Sequence, residues 1–214
     1  MSSLLRVTLL GDGPTDRALQ FVIEWAINQI DLPSTLNYLI SFGSRNRISG
    51  NNLSEQLQEI IRLFPCEILC IHRDSEQADL WDVRATEIDR ACDGIDLPNT
   101  VKIIPVRMTE SWFLSDTQAI RAAAGKPNGT ARLSRPNLNR IENLARAKER
   151  LEELLRDASE SNGRRRKKFN KEIVWRRVRV AEMIEDFSYL RQFNAYQHFE
   201  QELVQSIKEH IELA

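Results

Sequence analysis

Apolar residues follow two rhythms along this chain, one with the short period of strands and one with the period of helices. Leu4 to Leu10 (LLRVTLL) is a β-compatible run that Gly11, Asp12, Gly13 and Pro14 stop. From Thr15 to about Gln29, residues Leu19, Val22, Ile23, Ala26 and Ile27 recur at helical spacing, with Pro14 tolerated just ahead of the first turn. Leu36 to Phe42 predicts a second strand, followed by a polar loop from Gly43 to Asn52 and a helix from Ser54 to Phe64 that Pro65 closes. Glu67 to His72 (EILCIH) is the most strand-like run. After it come a helix near Ala78 to Cys92, a strand at Val101 to Val106 and a helix starting near Glu110. Strands alternating with helices across short turns predict an α/β domain with a parallel sheet of about four strands and right-handed crossovers.

The rhythm changes near Gly125, where Gly125, Pro127, Asn128, Gly129 and Pro136 mark a loop. A long charged helix is expected from about Asn137 to Ala158, then a basic loop, then helices near Glu172 to Phe187 and Phe193 to Leu213. The expected organisation is an α/β core over residues 1–124 and a helical extension over 125–214 packed on it, with the basic loop at 163–171.

Composition changes this picture little. An apolar fraction of 42% and a charged fraction of 29% over 214 residues are ordinary for a globular chain. With 30 basic against 31 acidic residues, bulk attraction to nucleic acid or an anionic membrane is not implied, so the distribution of charge matters more. Cys66, Cys70 and Cys92 have neither disulfide nor metal-ligand spacing and fit small core residues. The N-terminus lacks a basic stretch and a small-residue cleavage site, and no run approaches the ~20 apolar residues of a membrane span, so a cytoplasmic protein is expected.

Charge distribution carries the chemistry. Ligands of an open parallel sheet bind beyond the carboxyl ends of its strands. The first strand ends at Asp12 with Asp16 just after it, the third ends in His72-Arg73-Asp74-Ser75-Glu76, and the fourth leads to Glu110 and Asp116. Clustered carboxylates can hold a divalent cation that works on a phosphate. Each residue also has a plainer role open to it. Asp12, Asp16 or Asp74 can cap a helix, Glu110 and Asp116 can be ordinary helix acids, and His72 can be a structural histidine. The sharpest local charge asymmetry is Arg164, Arg165, Arg166, Lys167, Lys168 and Lys171, continued by Arg176, Arg177 and Arg179. It suits a phosphodiester backbone, or else a solvated face balanced by the acidic helix before it. Trp81, Trp112 and Trp175 fall in helical patterns and are expected to pack in the core. GDGPT lacks the Gly-Lys-Ser/Thr ending of a P-loop, and no G-x-S-x-G elbow occurs.

These pieces resemble a known superfamily. GDGPTDRAL (Gly11 to Leu19) is similar to the E-G-x-T-D opening of Toprim domains, and CIHRDSE (Cys70 to Glu76) stands where their Asp-x-Asp falls. MTESWFLSD (Met108 to Asp116) resembles the E-x-W-x-x-x-D signature of small stand-alone Toprim-like proteins related to the overcoming-lysogenization-defect nucleases, and RVAEMIEDFSYLR (Arg179 to Arg191) looks like their C-terminal region. The resemblance implies a Toprim/Rossmann-like sheet and a nuclease or phosphotransfer protein using Mg²⁺ or Mn²⁺ on nucleic acid, in anti-phage defence with an ATPase partner. By that likeness Asp12, Asp74 and Glu110 are catalytic. Asp12, His72, Asp74, Glu76 and Glu110 are metal ligands, and Asp16 and Asp116 support them; the basic run Arg164 to Lys168 with Lys171 is expected, from its charge, to hold the backbone. Two positions depart from the pattern: Asp12 stands for a glutamate and His72 for an aspartate. Histidine favours Mn²⁺ or Zn²⁺ over Mg²⁺. The departures keep open a non-catalytic subunit of an ATPase complex that binds metal or nucleotide, and the charged C-terminal helices keep open a purely structural interaction protein.

Overall fold

The computed structural model describes residues 3–33, 36–77, 79–137 and 140–213. Strands β1 (Ser3–Gly11), β2 (Leu36–Ser44), β3 (Ile68–His72) and β4 (Asn99–Ile103) form one sheet in the order β2-β1-β3-β4. Every neighbouring pair is parallel, with Val7 opposite Ile68 and Ile68 opposite Asn99. The expected α/β class is therefore observed. All five residues of β3 are buried, which is why its sequence reads as an unbroken apolar run rather than an alternating one.

The sheet is covered on both faces. Leu5, Val7, Leu9, Ile68, Cys70, Val101 and Ile103 point into one core with helix α1 (Leu19–Asn28). Leu10, Leu69 and Ile71 point the other way, against α2 (Leu53–Leu63) and α3 (Trp81–Cys92). The first core also takes in α4 (Thr117–Ala123), α5 (Ala147–Ala158), α6 (Gly163–Met183) and α7 (Asn194–Leu213), so the C-terminal helices share one apolar cluster with the sheet. Helix α7 also covers the β4 edge: the Lys102 amide donates to Glu202 Oε2 at 2.6 Å. An otherwise open strand edge is thereby closed.

Several element boundaries differ from expectation. A 3₁₀ turn, Pro14–Ala18, precedes α1, because the Asp16 carboxylate folds back to accept the Gly13 amide at 2.8 Å. Residue 11 must be glycine for this turn to close: a Cβ there would stand 2.7 Å from Asp16 Cβ. Thr109–Phe113 is a 3₁₀ turn rather than the start of a helix. Asp116 instead begins α4 by accepting the amides of Gln118 and Ala119. Helical order starts only at Trp81 in α3 and at Ala147 in α5; Ala78, Leu138 and Asn139 lie outside the described residues.

The largest correction concerns 163–171, which is the first half of α6 and not a loop. Arginine and lysine are good helix formers, and no breaker follows Gly163 before the helix ends. Phe169, Ile173, Val180 and Ala181 bury one face of it. That packing holds the helix together against the unfavourable placement of cations at its N-terminus. Among the described residues no helix is long and apolar enough to cross a membrane.

Candidate functional site

The chain reverses its direction of travel across the sheet between β1 and β3: one crossover goes from β1 out to β2, and the next returns past β1 to β3. A crevice at such a switch point is where open α/β sheets bind ligands. Asp12 and Asp16 follow β1 there, and His72 and Asp74 end β3.

The loop after β3 is tied down residue by residue. The amides of Arg73, Ser75 and Glu76 donate to the carbonyls of Ile103, Pro105 and Arg107 at 3.0–3.1 Å, so the strand-to-strand bonding continues past His72. This brings Thr109 over Asp74, whose Oδ1 accepts the Thr109 amide at 2.9 Å and its hydroxyl at 3.0 Å. His72 is fully buried. Its Nδ1 lies 3.1 Å from the Ile103 carbonyl, which fixes a donated proton there and turns Nε2 into the site. Nε2 stands 3.6 Å from Asp16 Oδ2, 3.6 Å from Asp74 Oδ1 and 3.2 Å from Thr109 Oγ1.

Burial and charge then set the protonation of this group. Burial pushes the Asp74 carboxyl up to about 6, with Glu110 and Asp16 adding to the rise and His72 and Thr109 opposing it. Burial alone would disfavour a charged His72, but Asp16, Asp74 and Asp12 outweigh it and raise the imidazole above its ordinary value. His72 Nε2 thus joins Asp16 and Asp74 at one point, and Glu110 is near enough for its charge to add to the rise of Asp74.

Three of the acids expected as metal ligands are paired with arginine. Asp12 Oδ1 pairs with Arg45 Nη1 at 2.7 Å and with Arg73 Nε at 3.3 Å. Glu110 is ion-paired with Arg177, which comes from α6 and is only 4% exposed. Glu76 turns away: its backbone takes φ 62°, and its carboxylate pairs with Arg84 at 3.3 Å. Asp116 caps α4 as described above. Asp16 and Asp74 have no arginine or lysine partner, and neither Asp16 Oδ1 nor Asp74 Oδ2 has a protein hydrogen-bond partner among the described residues.

The donor set bears on a divalent cation as follows. Among the described residues no group of three or more His, Cys, Asp or Glu side chains is arranged to hold a metal ion. The two uncommitted carboxylates do match Mg²⁺ chemistry, which uses one or two carboxylates and completes its shell with substrate phosphate and water. The sequence did not single out Arg45 or Thr109, and it read Arg177 as part of an exposed strip and Arg73 only as a neighbour of Asp74. Arg177 carried a signal after all: it falls on the apolar stripe of α6, between Ile173 and Val180.

The basic residues of α6 lie elsewhere. Arg164, Arg165, Lys167, Lys168 and Lys171 are exposed and Arg166 is half-buried, and none has an ion pair among the described residues. Of the tryptophans, Trp112 is fully buried as expected, Trp81 packs against His198 with ring centroids 4.8 Å apart, and Trp175 is exposed.

A second perturbed carboxyl, Glu142, lies beside Trp112 and lines a 280 Å³ cavity with Trp81 and His198. Burial pushes it up to about 7, with Trp112 opposing the rise, and among the described residues Oε1 has no hydrogen-bond partner within bonding geometry. Its ordinary value is 4.5, so the unfolded chain releases this proton first and stability is lost as pH rises from 4.5 through about 7. Glu142→Gln is therefore expected to raise stability near pH 8 by about 1–2 kcal/mol, a figure discounted from the full shift because the side chain is partly exposed. Near pH 4 the two proteins should unfold at the same urea concentration. An equal effect at both pH values would refute the assignment.

Comparison with protein-family models, curated proteins and solved structures finds no match to the chain.

Proposed function

We propose that this chain handles nucleic-acid phosphodiesters at a Toprim-like rim and cleaves them with a divalent cation that Asp16 and Asp74 take up together with the substrate phosphate. The observation carrying the proposal is the convergence of Asp16, His72 and Asp74 at the switch point, where among the described residues no arginine or lysine pairs with either carboxylate and Asp16 Oδ1 and Asp74 Oδ2 face no protein donor. A bound ion there supplies charge to the phosphate and acidifies a water. The residues do the rest. His72, with Nδ1 held by the Ile103 carbonyl, presents Nε2 in a fixed direction, and Thr109 fixes Asp74 through two hydrogen bonds. Arg45 and Arg73 on Asp12, and Arg177 on Glu110, offset rim acids that would otherwise repel an approaching phosphate.

His72, where the Toprim pattern has an aspartate, favours a second reading, in which the site binds a metal or nucleotide without turnover as a subunit of an ATPase complex. One experiment separates the two. Plasmid DNA and RNA are incubated with the protein and Mg²⁺ or Mn²⁺ across a pH series. Cleavage that needs metal, and that fades at acid pH as protons compete with the ion for Asp74, supports the nuclease. Binding with no cleavage by wild-type protein at any pH supports the second reading and removes the first.

A further inference from the structure

The expectation that Trp175 belongs to the core fails in an informative way. Its indole is 51% exposed on the outer side of α6, at a groove of about 690 Å³ that also touches α4 and the turn carrying Asp16. Arg17, the residue after Asp16, lines this groove together with Arg179. Both are exposed and have no ion pair among the described residues. Arg176 is already committed, to Glu172 at 2.8 Å and to the Ala123 carbonyl at 2.8 Å. Two carboxylates, Glu172 and Glu182, also line the groove, so its cations are local and directed rather than a uniform field.

An exposed indole sharing a groove with two uncommitted guanidiniums meets the two needs of an unpaired strand: a flat surface for a base, and cations for its phosphates. A duplex offers its phosphates but keeps its bases stacked inside, so it can use only half of this arrangement. The surroundings extend the track. Helix α6 has 21 residues and rises about 1.5 Å per residue. Its exposed basic residues from Arg164 to Lys171 continue the charge away from the groove, while Arg177, two residues past Trp175, anchors the same helix to Glu110 on the rim.

We infer that the groove binds single-stranded nucleic acid, with a base stacked on Trp175 and phosphates held by Arg17 and Arg179. This rests on the rim acting on nucleic acid, yet it is tested by binding alone, without metal and without cleavage. Fluorescence anisotropy in EDTA is measured with labelled oligo-dT, oligo-U and a DNA duplex, each of roughly 16 nucleotides or base pairs, a length that spans such a site. Single strands should bind more tightly than duplex, and the dT and U arms show whether DNA or RNA is the better ligand.

Trp175→Ala is expected to weaken single-strand binding about ten-fold and leave duplex binding unchanged. Trp175→Phe keeps a stacking surface and should retain affinity within about three-fold, which separates stacking from misfolding. The double variant Arg17→Ala/Arg179→Ala should flatten the log K against log salt slope by about 1.4 for single strands. The inference is overturned if neither oligonucleotide binds, if duplex binds as tightly as single strand, or if Trp175→Ala binds like wild type. Any of these results with metal-dependent cleavage intact removes the groove and leaves the rim standing.

Discussion

Arg177→Ala is expected to lower the unfolding free energy by about 3–5 kcal/mol, the largest effect of any single substitution considered for this protein. The guanidinium is almost wholly buried, and it is the ion-pair partner of Glu110 on the rim. Glu152 Oε1 stands 3.6 Å from the Arg177 Nε, so a second carboxylate also faces this cation. Removing the arginine leaves Glu110 desolvated beside Asp74, whose own pKa Glu110 already raises. Most of the loss is the penalty of an unpaired buried charge, not the worth of the pair itself. The double variant Arg177→Met/Glu110→Gln is therefore expected to recover more than half of it. Glu152 is left without distress because it keeps Arg156 at 2.8 Å. Urea denaturation of the single and double variants checks both statements; equal losses in the two would show that the pair is not the cause.

The second large effect is on chemistry. Asp74→Asn keeps the shape and the acceptor oxygen that the Thr109 amide and hydroxyl use, while removing the charge. Changes to groups merely supporting a metal ligand cost about 10–100-fold, so loss of a ligand's charge is expected to lower metal-dependent cleavage by at least about 100-fold. Because the burial that raises Asp74 no longer opposes an ionised group, the variant should be no less stable than wild type. The combination of undiminished stability and lost activity is the signature sought. Activity within about three-fold of wild type would exclude Asp74 from the chemistry.

What could be read from the sequence follows the range of the forces involved. All four strands and the parallel sheet are legible as short apolar, β-compatible runs between turn residues, most plainly in the fully buried ILCIH of β3. Two boundaries moved because of single side-chain caps: Asp16 folds back on Gly13, and Asp116 rather than Glu110 starts α4. The 163–171 segment carries the charge density of a solvated loop, and the helix shows only in the spacing of Phe169 and Ile173, which continues into Arg177 and Val180.

The rim was legible in place but not in partnership. Sheet topology alone carries Asp12, His72, Asp74 and Glu110 to one edge. The arginines that claim Asp12 and Glu110 lie 33 and 67 residues away from them, and no local pattern announces a pairing over such distances. Asp16 gained importance for the same reason. In the sequence it is one of two acids after β1, and only the pairing of Asp12 with Arg45 and Arg73 leaves Asp16 as the uncommitted one.

The central claim is that Asp16 and Asp74 jointly take up a divalent ion at the end of β1 and β3. Titration of Mn²⁺ followed by electron paramagnetic resonance, in the presence of a short single-stranded oligonucleotide, tests it most directly. The account predicts one Mn²⁺ bound per chain by wild-type protein, and binding weakened at least about ten-fold in both Asp16→Asn and Asp74→Asn. Undiminished Mn²⁺ binding in both variants would contradict it.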